Sequence, residues 1–362
     1  MNKLIKLDWV MLAPVFLLLA LGLIALWSVS FADATLNPGN LEKQIVSAII
    51  GLVLMFLLAF YDYRVLSSYS TKLYFAIAFL LFLVIIFGTT VRGHTGWIGV
   101  GSFRFQPVEI AKLILIIFLA SFFSKKKNQL SIVMRIIASI MLVSIPLFLV
   151  LKQPDIGSSV LIVGIWAIML SVSGISKKNL VVLLLLGMVA CSSTWFILKN
   201  YQKERIINFI DPNNDPQGSG YNVIQSMVAV GSGRMAGKGL GHGTQSQLDF
   251  LPEKHTDFIF AVIAEELGFF GGALVLALFG VIFWRIKEVA RTSRDNFGYL
   301  LSVGIMVMIF LQALVNIGMN IGMMPVTGVP LPLLSYGGSS LVITLASIGI
   351  VQSVYLRREK TN

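Results

Sequence analysis

The feature that most constrains this chain is its succession of long apolar stretches. Ten of them, at about 10–31, 45–61, 73–91, 108–123, 132–151, 156–172, 180–198, 258–284, 299–319 and 340–356, reach or approach the roughly 20 helical residues that cross a hydrocarbon core of about 30 Å. No water-soluble core accommodates so many at such close spacing. The chain therefore reads as an all-α integral membrane protein with ten transmembrane helices, forming a single membrane domain over residues 1–362. Composition agrees: 56% of residues are apolar and 12% charged, where a soluble domain carries about a quarter charged. The first stretch follows Lys3 and Lys6 and is long for the core of a signal peptide, so it reads as a retained anchor.

The net charge of +11 raises the question of nucleic acid, but the basic residues fall in short clusters between apolar spans and form no continuous basic face. Placing the N-terminus in the cytoplasm puts 17 of the 28 Lys and Arg inside: Lys3, Lys6, Arg64, Lys72, Lys125, Lys126, Lys127, Arg135, Lys177, Lys178, Arg285, Lys287, Arg291, Arg294, Arg357, Arg358 and Lys360. This asymmetry follows the positive-inside rule and puts both termini in the cytoplasm. The one cysteine, Cys191, excludes an intramolecular disulfide, and three scattered histidines argue against a His-ligated metal.

The segment at about 199–257, between the seventh and eighth spans, is the only water-facing stretch large enough to carry structure of its own. Loops of this length are usually functional or disordered. Tyr221 to Val230 reads as a short amphipathic helix stopped by Gly231, and eight glycines between Gly218 and Gly243 mark tight turns.

Ionisable residues at membrane depth are costly and point to function. Glu109 and Lys112 share one face at the start of the fourth span, as a structural ion pair or part of a site. Asp155 follows Lys152-Gln153-Pro154 at the outer edge of the sixth span, where it either caps the helix or lines a site. The eighth span opens Leu251-Pro252-Glu253-Lys254-His255-Thr256-Asp257-Phe258, with Thr256 or Asp257 as candidate N-cap. Glu265 and Glu266 lie about 12–14 Å deeper at 1.5 Å per residue and rank below Asp257. Arg205, Arg234, Lys238, Lys254 and His255 all stand on the outer side, against the inside bias, which suggests an anionic ligand such as a diphosphate or else solvated loop charge. Trp97 in the preceding outer loop is either an interfacial aromatic or a platform for a sugar. Pro325 to Ser340, with three prolines, three glycines and Ser335, cannot continue a membrane helix and reads as the wall of an outer cavity.

These motifs in this order, FQPVE at Phe105–Glu109, QPD at Gln153–Asp155, FLPEKHTDFIFAVIAEELG at Phe250–Gly268 and PLPLLSYGGSS at Pro330–Ser340, resemble the SEDS family of shape, elongation, division and sporulation proteins. The run Gly243 to Phe250 resembles the elongation branch more than the division branch. Val108 departs from the serine usual after Gln-Pro, and Gly93-His94-Thr95-Gly96 departs from the usual approach to Trp97. The resemblance implies a peptidoglycan glycosyltransferase in the bacterial inner membrane that polymerises lipid II for elongation and rod shape and releases undecaprenyl diphosphate. It further implies Asp257 as the catalytic base. Arg205, Arg234, Lys238 and Lys254, with room for a divalent cation (Mg or Mn), would face the diphosphate, and Glu109, Lys112 and Asp155 would shape the cavity. The implied partner is a class B penicillin-binding transpeptidase. The rivals are a lipid-precursor flippase, which would be expected to hold charge near the midplane, a division-type polymerase and a noncatalytic scaffold.

Overall fold

The computed structural model describes residues 5–32, 39–91, 94–100, 103–125, 131–175, 207–211 and 219–358, with isolated positions between 179 and 203. All but isolated positions of the expected seventh span at 180–198, and with them Arg205, lie outside the described residues.

Six helices precede the long loop: α1 (Trp9–Ala32), α2 (Gly39–Phe60), α3 (Tyr63–Phe87), α4 (Pro107–Ser124), α5 (Ile132–Lys152) and α6 (Ile156–Val172). Within the loop are α7 (Ser219–Ser232) and the single turn α8 (Thr244–Gln247); α9 (Ile259–Arg291), α10 (Asn296–Asn320) and α11 (Gly338–Leu356) complete the chain. Among the described residues, eight of these helices are long and apolar enough to cross a membrane, and α6 is a shorter apolar helix of 17 residues. This is a multi-pass membrane protein. Its outer helices turn apolar side chains outward, with Phe75, Phe79, Phe87, Met141 and Phe148 all exposed. A helix that stays apolar on its exposed face is a helix in lipid.

Small residues let the inner helices approach closely, as expected where lipid removes the hydrophobic drive between them. A methyl at Gly51 of α2 would run into the Leu345 side chain of α11, and one at Gly349 of α11 would overlap the backbone of Met55. Near the C-terminal end of α11, Arg285 of α9 donates to the buried Asp8 carboxylate at 2.8 Å, while Gln352 of α11 binds the Asp8 backbone, so three elements are pinned together.

Two features depart from the expectations. Between α3 and α4, where a plain outer loop was expected, β1 (Thr89–Val91), β2 (His94–Val100) and β3 (Phe103–Phe105) form an antiparallel sheet in the order β1-β2-β3, pairing Thr89 with Trp97 and Ile98 with Phe105. Hydropathy masks these strands, because they are short and β2 carries Gly96 and Gly99.

The second departure is a break in α9 at Gly268, whose φ of 67° and ψ of −161° are not helical. The glycine-rich stretch after α7 fills it. Lys238 and Gly239 amides donate to the Glu265 and Glu266 carbonyls at 3.0 and 2.9 Å, and the Phe269 and Phe270 amides donate to the Arg234 and Met235 carbonyls at 2.8 and 3.4 Å. The backbone groups freed by the break are thus satisfied by protein. The 23 residues after the break, Phe269–Arg291, span about 34 Å and cross the hydrocarbon unaided. Glu265 and Glu266 therefore stand at a break and not inside an unbroken membrane helix. Glu265 accepts from Lys238 Nζ and the Gln245 and Ser246 amides, and Glu266 from Ser28 Oγ, the Gly241 amide and Gln247 Nε2. Together they clasp the segment 233–250 onto α9 and α1.

Candidate active site

Four elements converge beneath the sheet. The turn 251–258 leads into α9, the wall 325–337 precedes α11, the N-terminal end of α6 carries Asp155, and β2 carries Trp97. Between them lies a cavity of about 230 Å³ lined by Trp97, Gln106, Asp155, Glu253, Thr256, Asp257 and, from the wall and α11, Thr327, Gly328, Tyr336, Ser339 and Ser340. This is smaller than the 300–1,000 Å³ typical of pockets for drug-sized ligands.

The turn is wound about one carbonyl. The amides of Thr256, Asp257 and Phe258 all point at the Glu253 oxygen, at 3.1, 3.1 and 3.4 Å, and Thr256 Oγ1 donates to the Glu253 carboxylate at 3.2 Å. The N-cap of α9 is Phe258, so neither Thr256 nor Asp257 occupies it. The Asp257 carboxylate faces the wall, since a methyl built on Gly328 would lie 3.7 Å from Oδ2.

Asp155 does both things the sequence allows. It caps α6 by accepting from the Ser158 amide at 2.9 Å and Ser158 Oγ at 2.8 Å, and it also lines the cavity, where Gln106 Nε2 donates to it at 3.4 Å. The wall is held from several sides. Gln44 of α2 donates to the Ser335 carbonyl and accepts from the Gly337 amide, Ser335 Oγ accepts from the Leu331 amide at 2.8 Å, and the Tyr336 amide donates to the His255 carbonyl at 2.8 Å. Ser335 and His255 therefore serve the framework of the cavity; neither is among its lining residues. Burial raises the Tyr336 phenol above its usual range, opposed by the positive charge of Arg104 on β3.

The expected cation clamp takes a different form. Lys254 is buried, and its ammonium donates to the Ser246 carbonyl at 2.7 Å and to the Asp249 carboxylate, bracing the turn against α8. Lys238 is paired with Glu265 at 2.8 Å, and Arg234 is exposed beside the α9 break. None of the three lines the cavity, whose described wall carries three carboxylates and no Lys or Arg. Among the described residues, Arg104 on β3 is a cation whose positive charge acts on Tyr336 of the wall. Glu109 and Lys112 form a buried ion pair at 2.8 Å within α4, away from the lining. Lys112→Ala should strand the Glu109 charge and cost about 3–5 kcal/mol, whereas Glu109→Gln with Lys112→Met should fold nearly as well as the wild type. Thermal unfolding of the two purified variants decides this, and equal losses would show that the pair carries no such cost.

Of the residues singled out in the sequence, the structure brings Trp97, Asp155 and Asp257 to one cavity. It adds Gln106, Glu253 and Tyr336, each a neighbour of a chosen residue in a motif already recognised.

A bundle of apolar membrane helices with a partly open cavity lined by three carboxylates defines a class of polytopic membrane protein with a polar site. The sequence model of the FtsW, RodA and SpoVE cell cycle protein family matches residues 8–360, and the chain belongs to that family. The peptidoglycan glycosyltransferase MrdB of Escherichia coli K12 is 40% identical over 356 residues, covering 98% of this chain and 95% of that protein. Stage V sporulation protein E of Bacillus subtilis 168 is 38% identical over 354 residues, covering 96% of each. Among solved structures, a peptidoglycan synthase complex that coordinates polymerization and crosslinking superposes with a TM-score of 0.81 at 33% identity, covering 96% of this chain and 97% of that one. The rod shape determining protein RodA of Thermus thermophilus gives 0.73 at 30% identity, covering 98% of both chains.

Proposed function

We propose that this chain polymerises lipid II into glycan strands at the outer face of the bacterial cytoplasmic membrane, with Asp257 as the general base. The observation that carries the reading is the placement of the Asp257 carboxylate on the wall of a cavity shared with Trp97, Gln106 and Asp155, in a full-length relative of MrdB. The chain is a peptidoglycan glycosyltransferase. Its elongation role is supported by 40% identity to MrdB against 34–36% to the division-type FtsW proteins compared.

Asp257 takes the proton from the 4-hydroxyl of one GlcNAc as that oxygen bonds to the anomeric carbon of the MurNAc ending the other strand. The bond from that carbon to the diphosphate oxygen breaks with inversion, and undecaprenyl diphosphate leaves with the electron pair. Diphosphate needs positive charge more than a proton, so one carboxylate suffices where most glycosidases use two. An acidic cavity suits the hydroxyl end of this reaction, and the diphosphate lies toward Arg104. Among the described residues no three His, Cys, Asp or Glu side chains cluster into a metal cage. A divalent cation would be held chiefly by the diphosphate with one or two carboxylates, the usual habit of Mg²⁺. Both termini lie in the cytoplasm in this reading, and the partner is a class B penicillin-binding transpeptidase, consistent with the synthase complex that shares the fold. Purified full-length protein given lipid II, with and without such a partner, should yield a ladder of glycan chains. Failure under both conditions, with vesicle assays showing lipid translocation instead, would transfer the assignment to a flippase.

A further inference from the structure

The start of α9 has no cap of its own. Phe258 occupies the N-cap and has no side-chain oxygen to accept from the first-turn amides, which otherwise need a partner. The acceptor comes from the last turn of α10, where Asn320 Oδ1 takes the Ala261 amide at 3.0 Å. The other end of the same side chain donates to the Asp257 carbonyl at 3.0 Å. One turn earlier, Asn316 Nδ2 donates to that same carbonyl at 3.0 Å and to the Val329 carbonyl of the cavity wall at 2.8 Å. Both asparagines are completely buried, and Asn320 also donates to the Asn316 carbonyl at 2.8 Å. On α7, Ser226 donates to the Asn320 carbonyl at 2.9 Å.

We propose that Asn316 and Asn320 are the positioning residues of the reaction centre: they fix the Asp257 backbone against the wall and supply the α9 cap that Asp257 would otherwise be placed to provide. This deepens, and rests on, the reading of Asp257 as base. The two amides converge on one carbonyl, so the position of that residue is set by α10 and the wall and not only by its own turn. Because Asn316 bridges to Val329, the same contact sets the distance between the base and the wall against which a sugar would sit. A base displaced by a fraction of an ångström still binds substrate beside it but transfers the proton poorly, so the effect falls on kcat and not on KM.

Asn320→Asp is the discriminating variant, because it keeps an acceptor for the Ala261 amide and loses the donors to Asp257 and Asn316. Full-length protein in nanodiscs with lipid II should show kcat per folded molecule reduced at least about tenfold, KM within about twofold and the acid limb of the pH–rate profile displaced, together with a lowered unfolding temperature, because the new buried carboxylate faces the Asp257 and Asn316 carbonyl oxygens. Asn316→Ala should show the same split. Asp257→Asn, run in parallel, separates the two claims. If Asp257→Asn abolishes polymerisation while a folded Asn320→Asp keeps wild-type kcat and pH profile, the positioning role is wrong and the base stands. If Asp257→Asn polymerises normally, the base itself is wrong. A reduced kcat in Asn320→Asp accompanied by an equal loss of folded protein, with the pH profile unmoved, would reduce the pair to ordinary structural residues and overturn the proposal.

Discussion

Asp257→Asn is expected to lower the turnover of lipid II by about 10²–10⁴-fold, the range that a general base contributes, with little change in KM. Asparagine keeps the size and planarity of the side chain, and the contacts that set its backbone, from Asn316 and Asn320 to the residue 257 carbonyl and from its own amide to Glu253, are untouched. The variant should therefore melt with the wild type. The loss is chemical: an amide cannot accept the hydroxyl proton at the moment the oxygen attacks. Chain-length analysis of the product by gel, at saturating and limiting lipid II, separates this from weaker binding. Turnover within about twofold of wild type would return the site to a scaffold role.

The second large effect lies at the break in α9. Gly268→Ala places a side chain at φ 67°, and its methyl would collide with the backbone of the inserted stretch at Met235–Gly237. This combination of φ and ψ is essentially confined to glycine and costs alanine about 1–3 kcal/mol, and relieving the collision sacrifices some of the four backbone bonds that fill the gap. A total loss of about 2–4 kcal/mol follows. It should appear as a lowered unfolding temperature and as faster proteolysis of the segment 233–250. Gly280→Ala, on the same helix with open space around it, is the control and should be neutral. Equal behaviour of the two would mean that the inserted stretch does not hold the break.

The sequence made the membrane helices legible because apolar length is a one-dimensional signal. Where it erred on extent, polar residues were responsible: α3 begins at Tyr63 and not near residue 73, since Arg64, Ser67, Ser68, Ser70 and Lys72 continue the helix past its apolar part. The sheet was hidden in strands of three to seven residues. Asp155 and Asp257 could be chosen because charged residues make up only 12% of the chain, and Trp97 because it is one of six tryptophans and lies in an outer loop. Their companions Gln106 and Tyr336 are ordinary polar residues, distinguished only by what folds next to them. Lys254 shows the converse: an outer lysine looks like a ligand for phosphate until the fold buries its ammonium on Ser246 and Asp249. The N-cap of α9 failed for the same reason, because its acceptor stands 59 residues further along the chain.

That distance imposes an order on biogenesis. The turn carrying Asp257 leaves the ribosome well before Asn316 and Asn320, so the end of α9 cannot be finished until α10 has been inserted and packed against it. The wall at 325–337, bonded to both Asn316 and the turn, comes later still. A truncated or half-inserted chain would carry every residue of the turn and still lack the geometry for transfer. Competence arrives only with nearly the whole molecule in place.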